Sequence, residues 1–130
     1  MNWTFALAVA LGGALGAPLR AFVDSRITAR TMSANAEGGA GAFPWGLLTV
    51  NAVGSLTIGI AYAAADGAWR ALLVTGACGA LTTYSGYALF LHRAWTRNRS
   101  VAWQAAVAMP VVCITVCAVG VLATRAVLGT

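Results

Sequence analysis

Tyr84 and Tyr87 stand three residues apart, a spacing that puts both rings on one helix face. An aromatic ring has a negative face and a positive edge. Two rings presented edge-on can therefore hold a small anion in a narrow apolar passage, although packing and interfacial anchoring are the commoner uses of such a pair. The residues just before them are poor helix formers. Residues 76–86, "GACGALTTYSG", include Gly76, Gly79, Thr82, Thr83, Ser85 and Gly86. Glycine is unfavourable inside a helix, and Thr and Ser compete for backbone hydrogen bonds. This composition predicts a helix interrupted near its middle. The first half would end in free carbonyls, which suit a cation, and the second would begin with free N–H groups, which suit an anion. The alternative is an unbroken helix with a small-residue packing face.

Other polar side chains lie in equally apolar surroundings. Asn51, Ser55 and Gly59 are four apart and share a face. A carboxamide at Asn51 must find a partner, either as glue between helices or as the lining of a polar pathway. Gly12 and Gly16 form a small-xxx-small pair suited to close helix approach. Pro18 should loosen that helix just before Arg20. Cys113, Thr115 and Cys117 follow Pro110, and with Cys78 they place every cysteine in an apolar stretch, as small packing residues rather than a disulfide framework. The only acids, Asp24, Glu37 and Asp66, fall in expected loops. No buried carboxylate is available to relay protons, which disfavours a proton-coupled transporter and a multidrug-type cation exporter. No nucleophile–base pair or metal-ligand cluster points to an enzyme.

The elements that must position these residues follow from composition. Hydrophobic residues make up 60% of the 130-residue chain and charged ones 8%. Residues 1–19, 38–65, 71–92 and 100–124 are free of charge. A membrane helix needs about 20 mostly apolar residues, so the chain is read as an all-α, four-span membrane domain over 1–130. The spans are expected at about 3–23, 43–65, 70–93 and 102–126. The net charge of +5 then belongs to arginines at the bilayer surface, not to a nucleic-acid site. No basic residue precedes the first apolar stretch, so it is not read as a cleaved signal peptide. The first loop, 24–42, is Gly-rich at "AEGGAGA" and is expected to be flexible. Trp45, Trp95 and Trp103 are placed as interface anchors.

Read together, "GGALGAPLR", "GLLTVNAVGS" and "GACGALTTYSGY" in successive spans resemble the small Fluc/CrcB fluoride channels along almost the whole chain. The resemblance implies a break in the third helix and a dimer of two antiparallel subunits with two fluoride pores. It also implies a structural sodium ion at the dimer centre, held by backbone carbonyls that match Gly79 and Thr82. The family's pore phenylalanines match Tyr84 and Tyr87, its pore asparagine Asn51 and its span-one arginine Arg20. Thr83 and Ser85 fall in the pore vestibule or serve structure. The family's polar track in the fourth span matches Cys113, Thr115 and Cys117 less closely. The chain departs from the pattern at Leu47, Ala80 and Phe90, and at both tyrosines. A phenol keeps the ring edge but adds a hydroxyl, which can hydrogen-bond fluoride or obstruct the passage. The implied activity is passive fluoride export across a bacterial plasma membrane.

Arg20, Arg26, Arg30, Arg93, Arg97 and Arg99 flank one side of the expected spans, and Arg70 and Arg125 the other. By the positive-inside rule the richer side is cytoplasmic, so both termini face outward. Subunits that insert both ways need balanced loops, whereas oppositely oriented homologues can pair as heterodimers. The bias therefore raises a second reading, a non-conducting or partly conducting subunit that needs an oppositely oriented homologue. A reporter fused to the C-terminus should give signal only from the outer side, and equal signals from both sides would overturn a fixed orientation.

Overall fold

The structure is a computed structural model that describes residues 2–34 and 42–129. Helix α1 spans Trp3–Ala34 and α2 spans Trp45–Ala64. A turn through Ala65 and Asp66 leads into α3 (Gly67–Arg70), which continues into a π-helical stretch, Ala71–Cys78, and then α4 (Gly79–Leu81). Two extended residues, Thr82 and Thr83, precede α5 (Tyr84–Arg97). Asn98 separates α5 from α6 (Arg99–Leu128). Among the described residues there is no strand.

Among the described residues, three helical segments are long and apolar enough to cross a membrane: Trp3–Ile27, Trp45–Ala64 and Arg99–Leu128. The expected span at 70–93 is not one helix but a series of segments. The expected loop at 24–42 requires correction at its beginning, because α1 continues to Ala34. Arginines end the apolar run there, but residues 24–34 hold no Gly or Pro to end the helix. Arg26 instead lies over the Phe22 ring at 4.6 Å, a cation–π contact one turn back. The glycine-rich remainder, 35–41, lies outside the described residues. Helix α1 also runs on through Pro18: one missing amide donor does not unwind a helix whose neighbouring turns remain bonded.

The packing inverts that of a water-soluble bundle. Leu7, Leu11, Leu15 and Leu19, four apart on α1, are all more than half exposed. The buried positions are mostly small, including Ala8, Ala61, Ala94, Ala102 and Ala105. Lipid tails solvate leucine as well as another leucine would, so helices in a bilayer associate through close backbone approach instead. Helix α1 packs chiefly on the π-helical stretch and α2 chiefly on α6. Gly12 and Gly16 meet the backbone of Leu72, Gly76 and Ala77, so the small-xxx-small pair is a contact surface. Gly59 meets the Cys117 backbone, and a Cβ on Gly120 would lie 2.7 Å from the Leu56 carbonyl oxygen.

The ends of the elements are closed locally. The Arg70 side chain pairs with Asp66 at 2.7 Å and donates through Nε to the Ala65 carbonyl at the end of α2. The Asn98 side chain accepts from the Val101 amide at 3.3 Å and caps α6. Trp95 and Trp103 face each other across this turn, with ring centroids 5.5 Å apart. Gly12→Val and Gly59→Val should each lower stability by about 1–3 kcal/mol through forced separation of helices, read as a lower unfolding midpoint in detergent. A Cβ on Gly13 would meet nothing within 4 Å, so Gly13→Ala should be tolerated. An equal loss at Gly13 would rule out close approach as the cause.

Candidate functional site

Helix α4 ends because Thr82 (φ −77°, ψ 153°) and Thr83 (φ −146°, ψ 115°) leave helical space. The last helical carbonyls and the first amides of the next helix thereby lose their ladder partners. Part of this deficit is met locally. The Thr82 amide and hydroxyl both donate to the Cys78 carbonyl at 2.9 Å. The Thr83 hydroxyl accepts from the Gly86 amide at 3.0 Å and caps α5. It also lies 3.1 Å from the Ser85 hydroxyl.

The rest is met from α2. Asn51 is only 7% exposed. Its Oδ1 accepts from the Thr83 amide at 2.7 Å, and its Nδ2 donates to the Thr83 carbonyl at 3.4 Å. The same Nδ2 approaches the Met109 sulfur on α6 at 4.0 Å. One carboxamide thus replaces both peptide partners of an extended residue and ties three elements together. Of the two uses open to Asn51, the geometry displays the one between helices. The methyl of Thr82 lies over Gly54, where a Cβ would force it to move.

The tyrosines divide. Their rings meet at 5.9 Å between centroids and a tilt of 56°, so they are not stacked face to face. Tyr84 is 80% exposed and makes no hydrogen bond among the described residues. The Tyr87 hydroxyl donates to the Ala106 carbonyl on α6 at 3.0 Å. Gly79 is exposed, and a Cβ there would meet only the Val74 carbonyl oxygen at 3.7 Å. Its carbonyl and that of Thr82 bracket the end of α4.

The remaining residues singled out from the sequence do not join this cluster by hydrogen bonds. Arg20 lies part-exposed on α1 with no ion pair among the described residues. Thr115 is exposed, Cys113 and Cys117 are part-buried, and Cys117 serves the α2–α6 contact through its backbone. All three cysteines are free.

The sequence pattern of the family described as CrcB-like protein, Camphor Resistance (CrcB), matches residues 7–124. The chain belongs to the CrcB family. It is similar to proteins named as fluoride-specific ion channels. The FluC protein of Nitrobacter winogradskyi is 40% identical over 95 residues, covering 68% of this chain and 69% of that protein. FluC 1 of Frankia casuarinae is 40% identical over 97 residues, covering 67% of each. FluC of Pseudomonas aeruginosa is 41% identical over 91 residues, covering 65% of each. With its long apolar helices, this CrcB-family chain is a multi-pass membrane protein.

Three groups around the site in this CrcB-family chain escape a reading by side-chain type: the Cys78 carbonyl, Met109 and the Ala106 carbonyl. The last was signalled, since Pro110 lies four residues on and cannot supply the amide that a helix brings there. Asn51→Leu should leave the Thr83 amide and carbonyl without partners, at about 1–3 kcal/mol for each group left buried. The measurement is hydrogen exchange at the Thr83 amide, which should speed up in Asn51→Leu. Asn51→Asp keeps the acceptor and should slow that exchange again. Unchanged protection in Asn51→Leu would mean that another group holds Thr83.

Proposed function

We propose that the chain forms a passive, fluoride-selective anion channel that releases fluoride from the cytoplasm, and that it is not an enzyme. Fluoride enters a cell as neutral HF in acid surroundings and dissociates inside. The trapped anion then needs a route outward, which the membrane potential drives. The observation that carries this reading is the extended Thr82–Thr83 pair, held by Asn51 at the base of a tyrosine-bearing helix. Irregular backbone is tolerated at membrane depth only where protein covers it or a cavity adjoins it. The names of the related proteins supply the anion.

In this reading the two ring edges at Tyr84 and Tyr87 provide weakly positive C–H surfaces to a small anion in a passage poor in water. Asn51 acts by fixing the segment from which the rings project. Arg20, Thr83 and Ser85 belong to the vestibule or its frame, and Cys113, Thr115 and Cys117 to a weak polar track. Gly79 and Thr82 suit a structural sodium ion: their carbonyls are hard oxygen donors at a broken helix end, and Gly79 adds no side chain to hinder approach. One chain supplies too few such oxygens for a cation, and exposed break carbonyls cannot face lipid. Both points favour a second subunit over this face, arranged antiparallel so that equivalent carbonyls meet. The six-to-two arginine distribution favours a fixed orientation with the termini outside. It thereby supports the second reading, in which an oppositely oriented homologue completes the channel.

Purified chain in liposomes should release fluoride well ahead of chloride. Tyr84→Ala and Tyr87→Ala should each reduce the fluoride flux several-fold. Flux that appears only after a homologue is added would support the heterodimer. Fluoride flux unchanged in both variants would remove the tyrosines from the passage.

A further inference from the structure

The two tyrosines differ in what their hydroxyls are free to do, and the difference originates on another helix. Pro110 lies inside α6. It has no N–H, so the carbonyl four residues earlier, that of Ala106, loses its helical donor. The Tyr87 hydroxyl donates to that carbonyl at 3.0 Å. Such a replacement is not automatic. Pro18 leaves the Ala14 carbonyl open in the same way on α1, and no side chain among the described residues donates to it. Tyr87 has one hydroxyl proton, and Ala106 takes it. Tyr84 is a turn away on the same face, exposed, and its hydroxyl has no partner among the described residues.

We propose that Tyr87 and Pro110 form one specificity unit in which the tyrosine neutralises the carbonyl that the proline exposes, while of the two tyrosines only Tyr84 can offer an O–H to an anion. Tyr87 is on this account a positioning residue. Its hydroxyl fixes the ring plane, so the ring presents C–H edge, and it keeps a bare carbonyl dipole away from the passage. This rests on the reading of the tyrosine face as an anion passage. A phenylalanine at 87 keeps the ring but releases the Ala106 oxygen, whose partial negative charge repels an anion and attracts a cation. Phenylalanine at 87 is therefore tolerated only if the proline is also replaced, since an amide at 110 restores the helical donor to Ala106.

The test is a cycle of four proteins, unaltered, Tyr87→Phe, Pro110→Ala and the double variant. Each is reconstituted in liposomes and read for fluoride efflux and for sodium or potassium leak. In Tyr87→Phe, fluoride efflux should fall roughly three- to tenfold and cation leak should rise. The double variant should return both to within about twofold of the unaltered protein. A merely structural role would lower flux without changing ion preference. Full fluoride efflux and selectivity in Tyr87→Phe, or a double variant no better than Tyr87→Phe, would overturn the proposal. If Tyr87→Phe fails to fold, folding of the double variant supports it and misfolding of both overturns it. Unfolding midpoints across the cycle separate this proposal from the channel reading. If the unaltered chain carries no fluoride either alone or with an oppositely oriented homologue, the passage reading fails, and non-additive midpoints still report the Tyr87–Pro110 pair.

Discussion

The hydrocarbon layer contains no water to bond an unpaired peptide group, and the structure is arranged around that constraint. A continuous helix meets it without help, because each amide finds the carbonyl four residues back. This chain departs from helix at Thr82 and Thr83, and it loses further donors at Pro18 and Pro110. At the extended pair and at Pro110 a side chain takes over the work of the backbone. Asn51 replaces both peptide partners of Thr83, the Thr83 hydroxyl caps the next helix, and the Tyr87 hydroxyl serves Ala106. These few polar groups, set among alanine, glycine and leucine, determine where the chain can open its backbone without exposing it to lipid.

The same solvent explains the placement of large and small residues. In water, leucines would be drawn inside. Here they line the outside of α1, and glycines let α1 reach the π-helical stretch and α2 reach α6 at backbone contact. Close approach serves the site directly. The seating of Thr82 over Gly54 sets the depth of the extended pair against α2, and that depth brings Thr83 within reach of Asn51.

Much of this was legible in the sequence, for physical reasons that can be named. Three of the four uncharged runs coincide with long apolar helices, because charge is what a bilayer excludes, and the fourth, 71–92, is a series of shorter segments. Asn51 stood out as a polar group in need of a partner, but the partner was not readable. It is a backbone unit 32 residues away, and which peptide it meets depends on the packing of two helices, not on the type of any residue. The weak helix formers of 76–86 include the extended pair, yet nothing in their composition selects Thr82 and Thr83 over neighbouring positions. Helix α1 outran its apolar run because hydropathy reports the membrane boundary, whereas a helix ends where its caps and breakers lie. The Tyr87 contact was accessible in principle, since a helical proline marks the open carbonyl four residues before it. The missing step was the register that turns Tyr87 towards α6.

The clamp between Asn51 and Thr83 has a further consequence in time. A membrane chain is synthesised from its N-terminus, so Asn51 is made 32 residues before the peptide group it will hold. Helix α2 can be in place, with its carboxamide waiting, when the interrupted segment emerges. The order reverses at the second contact, where Tyr87 is made 19 residues ahead of the carbonyl it serves. In both cases the side chain that mends the backbone precedes the defect. The chain can therefore enter the bilayer progressively, with each irregular peptide meeting its partner on arrival.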